Sequence, residues 1–472
     1  MKRACSLLLV VLLFSGCGPK IISPAARDAV SVASPMIAVP LTAEPSAFVP
    51  TPGPTKVPLP KLPTCAPRSA AEALFPEMLL SDAAEPLRSR VWELMDEKTL
   101  TKADFEKRFT ELIRLADALK SRLSVLSEAG HGLTADRRER TVAALLALMS
   151  DEVLNALSAA YDQCPGEGGA LSLLPYRKAL QELRSTVQTM TERTSPLFTG
   201  DGSGGRAYVS AMSFYMGEPF RPDDAYEVLE ELIQTEAYAL QTALTADPEA
   251  ARKKPPISLG SAEEDLSFLL GIAQTLCPLP GEAQPPLPGR TDAAAGMDLF
   301  ELAYRYYPGL AYWEAYARQT SGEQLLRWAD APDGYRMGLA VHCSYAVIPY
   351  IDGFQLDYLQ YKWYEGMLDV TMTGMSALLI HYYGYTQKDL GEYLKQWGAE
   401  EFAQYLYEKA MSDPFESLTA AYGYYRYLDI CQAALDAGCE SEERFLRDYV
   451  AVGPAPYVPL KEYMVALYEN EG

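Results

Sequence analysis

A Pro-Gly pair interrupts a long segment that is rich in aromatic residues. Residues 299–318 otherwise have the composition of one helix, and Pro308-Gly309 falls in their middle. Proline lacks a backbone donor, and its ring clashes with the carbonyl group one turn earlier, so a regular helix does not continue through it. The pair therefore predicts either a kinked helix or a junction between two short helices.

The residues before that run also have the period of helices. Between residues 70 and 197, apolar side chains recur every three or four positions, as they do on one face of a helix. Ser81-Asp82 and Thr101 are typical helix starts, and we predict further helices over 141–161 and 171–191. The clearest apolar set comprises Phe105, Phe109, Leu112, Ile113, Leu115, Leu119 and Leu123. The chain is therefore predicted to be mostly α and multi-helical.

The first sixteen residues have the features of an export signal. Lys2 and Arg3 precede an apolar segment, residues 6–14, which is too short to span a membrane. Small residues at 15 and 16 then precede Cys17, a pattern that resembles the site where bacterial lipoproteins are cut and lipidated. We predict cleavage before Cys17 and lipidation there, because two or more acyl chains hold a protein stably on a membrane. The alternative is an ordinary secretory signal with an incidental cysteine.

The segment from Gly18 to about Arg68 predicts an extended tether. Proline recurs there among Ala, Val, Ser and Thr, which prevents helix formation and favours polyproline-like conformations. We interpret 1–16 as a signal peptide, 17–68 as the lipidated cysteine with its tether, 69–198 as an N-terminal helical region and 199–472 as a C-terminal helical domain. The predicted location is the outer face of the bacterial cell membrane.

The charge balance excludes one class of partner. Acidic residues number 63 against 41 lysines and arginines, which gives a net charge of −22. Nucleic-acid phosphates require a basic surface, so we expect no nucleic-acid partner. The glycine-rich segment 199–205 is not a phosphate-binding loop, because no Lys-Ser/Thr pair follows it. It predicts a flexible boundary instead.

The cysteines are compatible with disulfides or with buried thiols. Six remain besides Cys17 after the predicted cut, and an oxidising compartment permits pairing. No CxxC pair occurs, which argues against a zinc knuckle or a thioredoxin-like site. Cys431 and Cys439 are close enough in sequence to pair across a helix end, but free thiols are equally compatible with the spacing.

The stretch from Tyr304 to Leu310, Tyr-Arg-Tyr-Tyr-Pro-Gly-Leu, resembles the signature His-Glu-x-Tyr-Pro-Gly-His of a bacterial zinc-peptidase family, domain of unknown function 885. The Tyr-Pro-Gly core is kept. Tyr304, Arg305 and Leu310 stand where the family has its two His and its Glu. The resemblance covers about Gly205 to Met464 and includes a Gly-Pro-Ala-Pro ending that starts at Gly453.

Two further family positions can be carried over. Asp333, in Asp-Gly-Tyr-Arg, lies where the family has the Glu that is its third zinc ligand. His381 remains from an Asp-x-Gly-x-His stretch whose Asp is absent here. A catalytic zinc needs three protein ligands and a nearby general base, whereas the histidines of the whole chain are His131, His342 and His381, none at ligand spacing. The resemblance therefore implies a degenerate site without zinc or any other cofactor, in which Arg305 pairs with Asp333.

These observations predict a cell-surface lipoprotein whose peptidase-like domain is inactive and is retained for binding or scaffolding. The expected partners are the membrane and a peptide-like or cell-envelope ligand. Of the 31 tyrosines, those near the signature could line a ligand groove, namely Tyr304, Tyr306, Tyr307 and Tyr312. One alternative is an active metallopeptidase with a non-standard site that uses Asp333 and His381. Another is a structural spacer whose groove is filled by its own tyrosines.

Overall fold

The structure, a computed structural model, is all-helical, as the sequence predicts. It describes residues 62–63, 84–96, 100–198, 202–246, 248, 257–279, 296–319, 327–328 and 331–470. Within these ranges no strand forms, and β-type pairing is limited to an isolated parallel bridge between Leu133 and Glu192. The predicted signal peptide, Cys17, the proline-rich tether apart from Leu62 and Pro63, and the Ser81-Asp82 helix start lie outside the described residues.

The described residues form a series of α-helices along the chain. In order they are α1 (Glu85–Asp96), α2 (Lys102–Glu128), α3 (Ala135–Leu148), α4 (Asp151–Gln163), α5 (Leu174–Thr189), α6 (Gly202–Met216), α7 (Pro222–Ala246), α8 (Ala262–Leu276), α9 (Leu299–Arg305), α10 (Leu310–Gln319), α11 (Asp333–Ala346), α12 (Leu356–His381), α13 (Gln387–Leu394), α14 (Ala403–Ser412), α15 (Glu416–Asp436), α16 (Glu442–Val452) and α17 (Tyr457–Glu469).

Helices α1–α5 pack around a core of their own, and we call residues 84–196 the N-terminal bundle. Its core runs from Ala84 to Met190 and consists mostly of leucine. Thr101 caps α2 by accepting a hydrogen bond from the Asp104 amide at 3.2 Å, which confirms the start predicted from the sequence. The predicted helix over 141–161 is wrong as a single element. The Ser150 hydroxyl caps a new helix there by accepting from the Val153 amide at 3.4 Å.

Helices α6–α17 surround a second core, and we call residues 198–470 the C-terminal bundle. The buried side chains of this core extend from Phe198 to Tyr468. Helix α11 packs on α15 at very close range. A Cβ atom on Gly338 would lie only 2.3 Å from the Gly423 carbonyl carbon, so the approach requires glycine. Helix α12 packs against both α7 and α15. The first residues of α6 fall in the glycine-rich segment that we predicted to be a flexible boundary.

The described cysteines can be compared with the two arrangements that the sequence permits. All five described cysteines, at 164, 277, 343, 431 and 439, are free thiols, so Cys431 and Cys439 do not form a disulfide. No single helix in the described ranges has the length and apolar character to cross a membrane. By length and composition alone, α3 and α4 meet that criterion together, as a pair bent by 43°.

Candidate functional site

The Tyr-Pro-Gly turn joins two short helices. Helix α9 ends at Arg305, and α10 begins at Leu310 after a cis peptide bond between Tyr307 and Pro308. A Cβ atom on Gly309 would lie 1.8 Å from the Tyr304 carbonyl oxygen, so the backbone approach requires glycine. Of the two predicted arrangements, the structure therefore has the junction between two helices and not the kinked helix.

The four groove candidates lie at different depths beside this turn. Tyr307 and Tyr312 are fully buried, with their rings edge to face at 6.3 Å. The Tyr312 hydroxyl donates to the Cys277 carbonyl oxygen at 2.7 Å. Tyr304 and Tyr306 are half-buried. Tyr307 and Tyr312 thus fix the turn to the core, as the spacer alternative expects, and only Tyr304 and Tyr306 keep a surface that a ligand can reach.

Arg305 and Asp333 do not form the ion pair that we expected from the sequence. Arg305 is exposed, and its Nε lies 3.1 Å from a carboxylate oxygen of Glu301, one turn earlier on α9. Asp333 pairs with Arg336, three residues later on α11. Residues three or four apart on a helix are neighbours, so each side chain finds a local partner without a long-range contact.

Several carboxylates lie near the hydroxyl of Tyr304, a residue that is half-buried as a whole. Burial, with the nearby charge of Glu416, raises the pKa of Tyr304 above its ordinary value, and Asp413 and Asp333 add to the effect. The Asp413 carboxylate is already hydrogen-bonded to the backbone. It accepts from the Glu416 amide at 2.6 Å and from the Ser417 amide at 2.9 Å. Asp413 therefore caps the start of α15 and is not a free general base.

His381 ends α12 deep in the interior. Its ring is 0% exposed and packs beside Tyr208 and Phe198, with centroids 5.6 and 6.1 Å away. Burial lowers the pKa of His381 to about 4, so the ring is neutral at pH 7. Nε2 lies 3.2 Å from the Ala410 carbonyl oxygen, which a neutral imidazole can satisfy only by donating from that nitrogen. His381 therefore completes the hydrogen bonding at the end of α14.

Two arginines from the N-terminal bundle bind the next carbonyl groups of α14, and we call this set of contacts the α14 junction. Arg193 donates from Nη2 to the Met411 carbonyl oxygen at 3.0 Å. Arg137 donates from Nε and Nη2 to the Ser412 carbonyl oxygen at 3.1 and 2.9 Å. Cations suit the negative end of a helix dipole. Sequence reasoning missed both arginines, because their partners lie more than two hundred residues away along the chain.

The residues present do not fit the zinc of the resembled family. Tyr304, Arg305 and Leu310 offer neither imidazole nor carboxylate. His342 is buried with its ring 4.3 Å from that of Tyr427, and burial lowers the pKa of His342 to about 4. Across the residues that the structure describes, no three His, Cys, Asp or Glu side chains are grouped so that they could hold a metal.

A buried carboxylate, Glu236, also escaped the sequence reasoning. It is 3% exposed between α7 and α12, and Oε1 accepts from the Thr371 hydroxyl at 2.9 Å. No hydrogen bond reaches Oε2 from the described residues. Burial raises the pKa of Glu236 to about 8, and the bond from Thr371 partly opposes this. Its one sequence signal is its position on the apolar face of α7, at helical spacing from Leu232 and Leu240.

Comparisons with known proteins identify the fold but no family. No family model matches the chain, and no curated protein matches it. One solved structure that matches is the crystal structure of the putative lipoprotein from Colwellia psychrerythraea, with a TM-score of 0.52 and 13% sequence identity. The match covers 80% of this chain and 78% of that chain. At this identity the similarity establishes a shared helical fold.

Proposed function

We propose that this protein is a lipid-anchored protein of the outer face of a bacterial cell membrane. The small residues before Cys17 and the proline-rich segment behind it support an anchor with a tether. A protein of the same fold is described as a putative lipoprotein, which agrees with this interpretation. The two bundles are then the folded part that the tether holds off the membrane.

The C-terminal bundle is proposed to be a degenerate zinc-peptidase domain, free of metal and inactive. The observation that carries this proposal is Arg305, an exposed cation paired with Glu301 where the resembled family has its general base. A guanidinium keeps its proton and cannot accept one from water. Two unit charges 4 Å apart interact by about 4 kcal/mol at an effective dielectric near 20, so a divalent ion beside Arg305 would meet strong repulsion.

Without hydrolysis, the proposed role is binding or scaffolding at the cell surface. The half-buried side chain of Tyr304 lies near several carboxylates, and that of Tyr306 lies near Glu301 and two arginines. Aromatic residues such as Tyr are enriched in recognition surfaces. A peptide-like or cell-envelope ligand suits this chemistry. The acidic charge of the chain disfavours nucleic acid.

Restoring the signature tests the degenerate-site proposal. The full chain is purified in detergent without chelators, both as the natural sequence and with Tyr304→His, Arg305→Glu and Leu310→His together. Elemental mass spectrometry should find no stoichiometric zinc in the natural chain. About one zinc per chain is expected in the restored variant, because Asp333 can supply the third ligand. A matched control keeps Arg305→Glu but places the two new histidines at other positions, with Tyr306→His and Glu301→His.

The opposite results are equally informative. Stoichiometric zinc in the natural chain, with peptide hydrolysis that Asp333→Ala abolishes, would establish the alternative of an active metallopeptidase with a non-standard site. A restored variant that folds but takes no more zinc than the control would remove the support for the family resemblance at this turn. The anchor is tested separately, since Cys17→Ser should move the protein from the membrane fraction to the soluble one.

A further inference from the structure

A second aromatic surface lies where α12 ends, and we call it the α12-end patch. It brings together side chains from α7, from the turn after α12 and from the region of α13. Tyr383 is the most exposed, at 38%, and the others keep part of their surface in solvent. The patch comprises Tyr226, Tyr382, Tyr383, Tyr385, Tyr393 and Trp397. Surface aromatic clusters of this density commonly mark recognition sites.

The rings of the patch are held in fixed orientations. The Tyr383 hydroxyl donates to Asp223 at 2.7 Å, and the Tyr226 hydroxyl donates to Glu230 at 2.9 Å. The Tyr226 ring lies edge to face with Tyr383 at 6.1 Å and with Tyr393 at 6.4 Å. A ring that is fixed before binding loses little conformational entropy when a ligand stacks on it.

Acidic residues outnumber basic ones beside the patch, although Lys388 on α13 and Lys395 after it are exposed, the latter paired with Glu392. The sequence of α7 contains no lysine or arginine, and its first turns carry exposed acidic residues. Arg221, just before the helix, pairs with Asp224 at 3.6 Å. The patch therefore offers carboxylate oxygens as hydrogen-bond acceptors and repels ligands that carry phosphates, sulfates or carboxylates.

We propose that the α12-end patch binds a chain of pyranose sugars that carries no acidic groups. The C–H face of a pyranose stacks on a fixed phenol ring, while its hydroxyl or amino groups donate to carboxylates such as Asp223 and Glu230. A peptide that binds as an added β-strand fits less well, because it needs free backbone partners and those of α7, α12 and α13 are used within the helices. This site is independent of the Tyr-Pro-Gly turn and of whether that turn binds zinc.

Calorimetry on the full chain in detergent tests the proposal with three probes. These are the tetramer of N-acetylglucosamine, its deacetylated form and a galacturonic acid tetramer. The first two should bind and the acidic one should not. Tyr383→Ala should weaken binding about tenfold, the size expected for losing one stacked ring. The matched control is Tyr238→Ala on α7, which removes a ring that is 73% exposed and outside the patch.

Several results would overturn the proposal. One is the absence of heat with both non-acidic tetramers at millimolar concentration, and another is an equal loss in the Tyr383 and Tyr238 variants. Binding of the galacturonic acid tetramer as tight as that of the others would contradict the charge argument. A dimer that Tyr383→Ala converts to monomers, with unchanged sugar binding, would assign the patch to a second copy. Tyr383→Phe, which keeps the ring, should lose less affinity than the Ala variant and guards against misfolding.

Discussion

The N-terminal and C-terminal bundles are both helical, but different kinds of contact specify them. The N-terminal bundle has a leucine-rich core, and its helices start at Thr101, Thr134 and Ser150, whose hydroxyls accept from amides three residues later. The C-terminal bundle has tyrosines in its core, close glycine contacts and buried ionisable groups. Side-chain caps also begin helices of the C-terminal bundle, at Ser261 and Thr386. The comparison therefore shows that close contacts between distant segments are what the second region adds to such local signals.

The largest effect should come from Gly338→Ala, which tests the close packing of the C-terminal bundle. The added methyl group would lie 2.3 Å from the carbonyl carbon of Gly423, and backbone cannot move aside as a flexible side chain can. We expect a loss of about 3 kcal/mol in the free energy of unfolding, measured by urea denaturation. The control is Gly366→Ala on α12. There an added Cβ atom would have no atom within 4 Å outside its own stretch of helix. It should stabilise the protein by about 0.5–1 kcal/mol.

The next effect is the pH dependence of stability that Glu236 causes. Its pKa is about 8 in the folded chain and near 4.5 when exposed, so the folded state holds a proton that the unfolded state has lost between those pH values. Stability should therefore fall as pH rises from 4.5 to 8 and should then level off. Between pH 6 and pH 8 the loss should be about 2 kcal/mol. Glu236→Gln should remove this slope in denaturation curves, and an unchanged slope would contradict a buried, protonated Glu236.

Arg137→Ala should weaken the link between the two bundles, in which Arg193 still binds the Met411 carbonyl group. The change leaves the Ser412 carbonyl group without its two donors in a buried position. We expect a loss of about 2 kcal/mol and a separate melting transition for the N-terminal bundle in calorimetry. Arg140→Ala on the same helix removes an exposed pair with Asp136 and should change little. A single transition with unchanged stability in the Arg137 variant would mean that the α14 junction does not couple the bundles.

The smallest effect should be the loss of a local cap in the N-terminal bundle. Thr101→Ala removes the hydroxyl that accepts from the Asp104 amide, and we expect a loss of about 1 kcal/mol in thermal unfolding. The control is Thr110→Ala, in the exposed middle of the same helix. There the hydroxyl only donates back to the Glu106 carbonyl, and alanine is the better helix former. Equal losses in both variants would argue against local specification of this bundle.

The N-terminal helices could be predicted because their signals lie within a few residues of each other. Phe105, Phe109 and Leu112 recur at helical spacing, and the core side of α2 follows from that period. The break at Ser150 was missed, because the apolar period continues on both sides and a single hydroxyl decides the boundary. A local pattern thus predicts that a helix exists better than it predicts where the helix ends.

The candidate site was less predictable, since its geometry depends on packing. The sequence showed the Pro-Gly break. It did not show that Tyr307 and Tyr312 are buried in the core while Tyr304 and Tyr306 stay half-buried. The partner of Arg305 was predicted wrongly, because a long-range pair was expected where an i, i+4 pair costs less side-chain ordering. Whether the turn, Cys17 and the tether act as proposed stays a prediction.

By itself, the sequence determined the helical class of this protein, the cap of α2 at Thr101 and the break at Pro308-Gly309. These depend on backbone sterics and on hydrogen bonds between near neighbours, which the order of residues specifies directly. Only the tertiary structure decided that His381, Arg193 and Arg137 would together bind the end of α14, and that Glu236 would be buried beside Thr371. The physical reason is that burial and partner choice arise where distant segments meet, and a local pattern contains no information about that meeting.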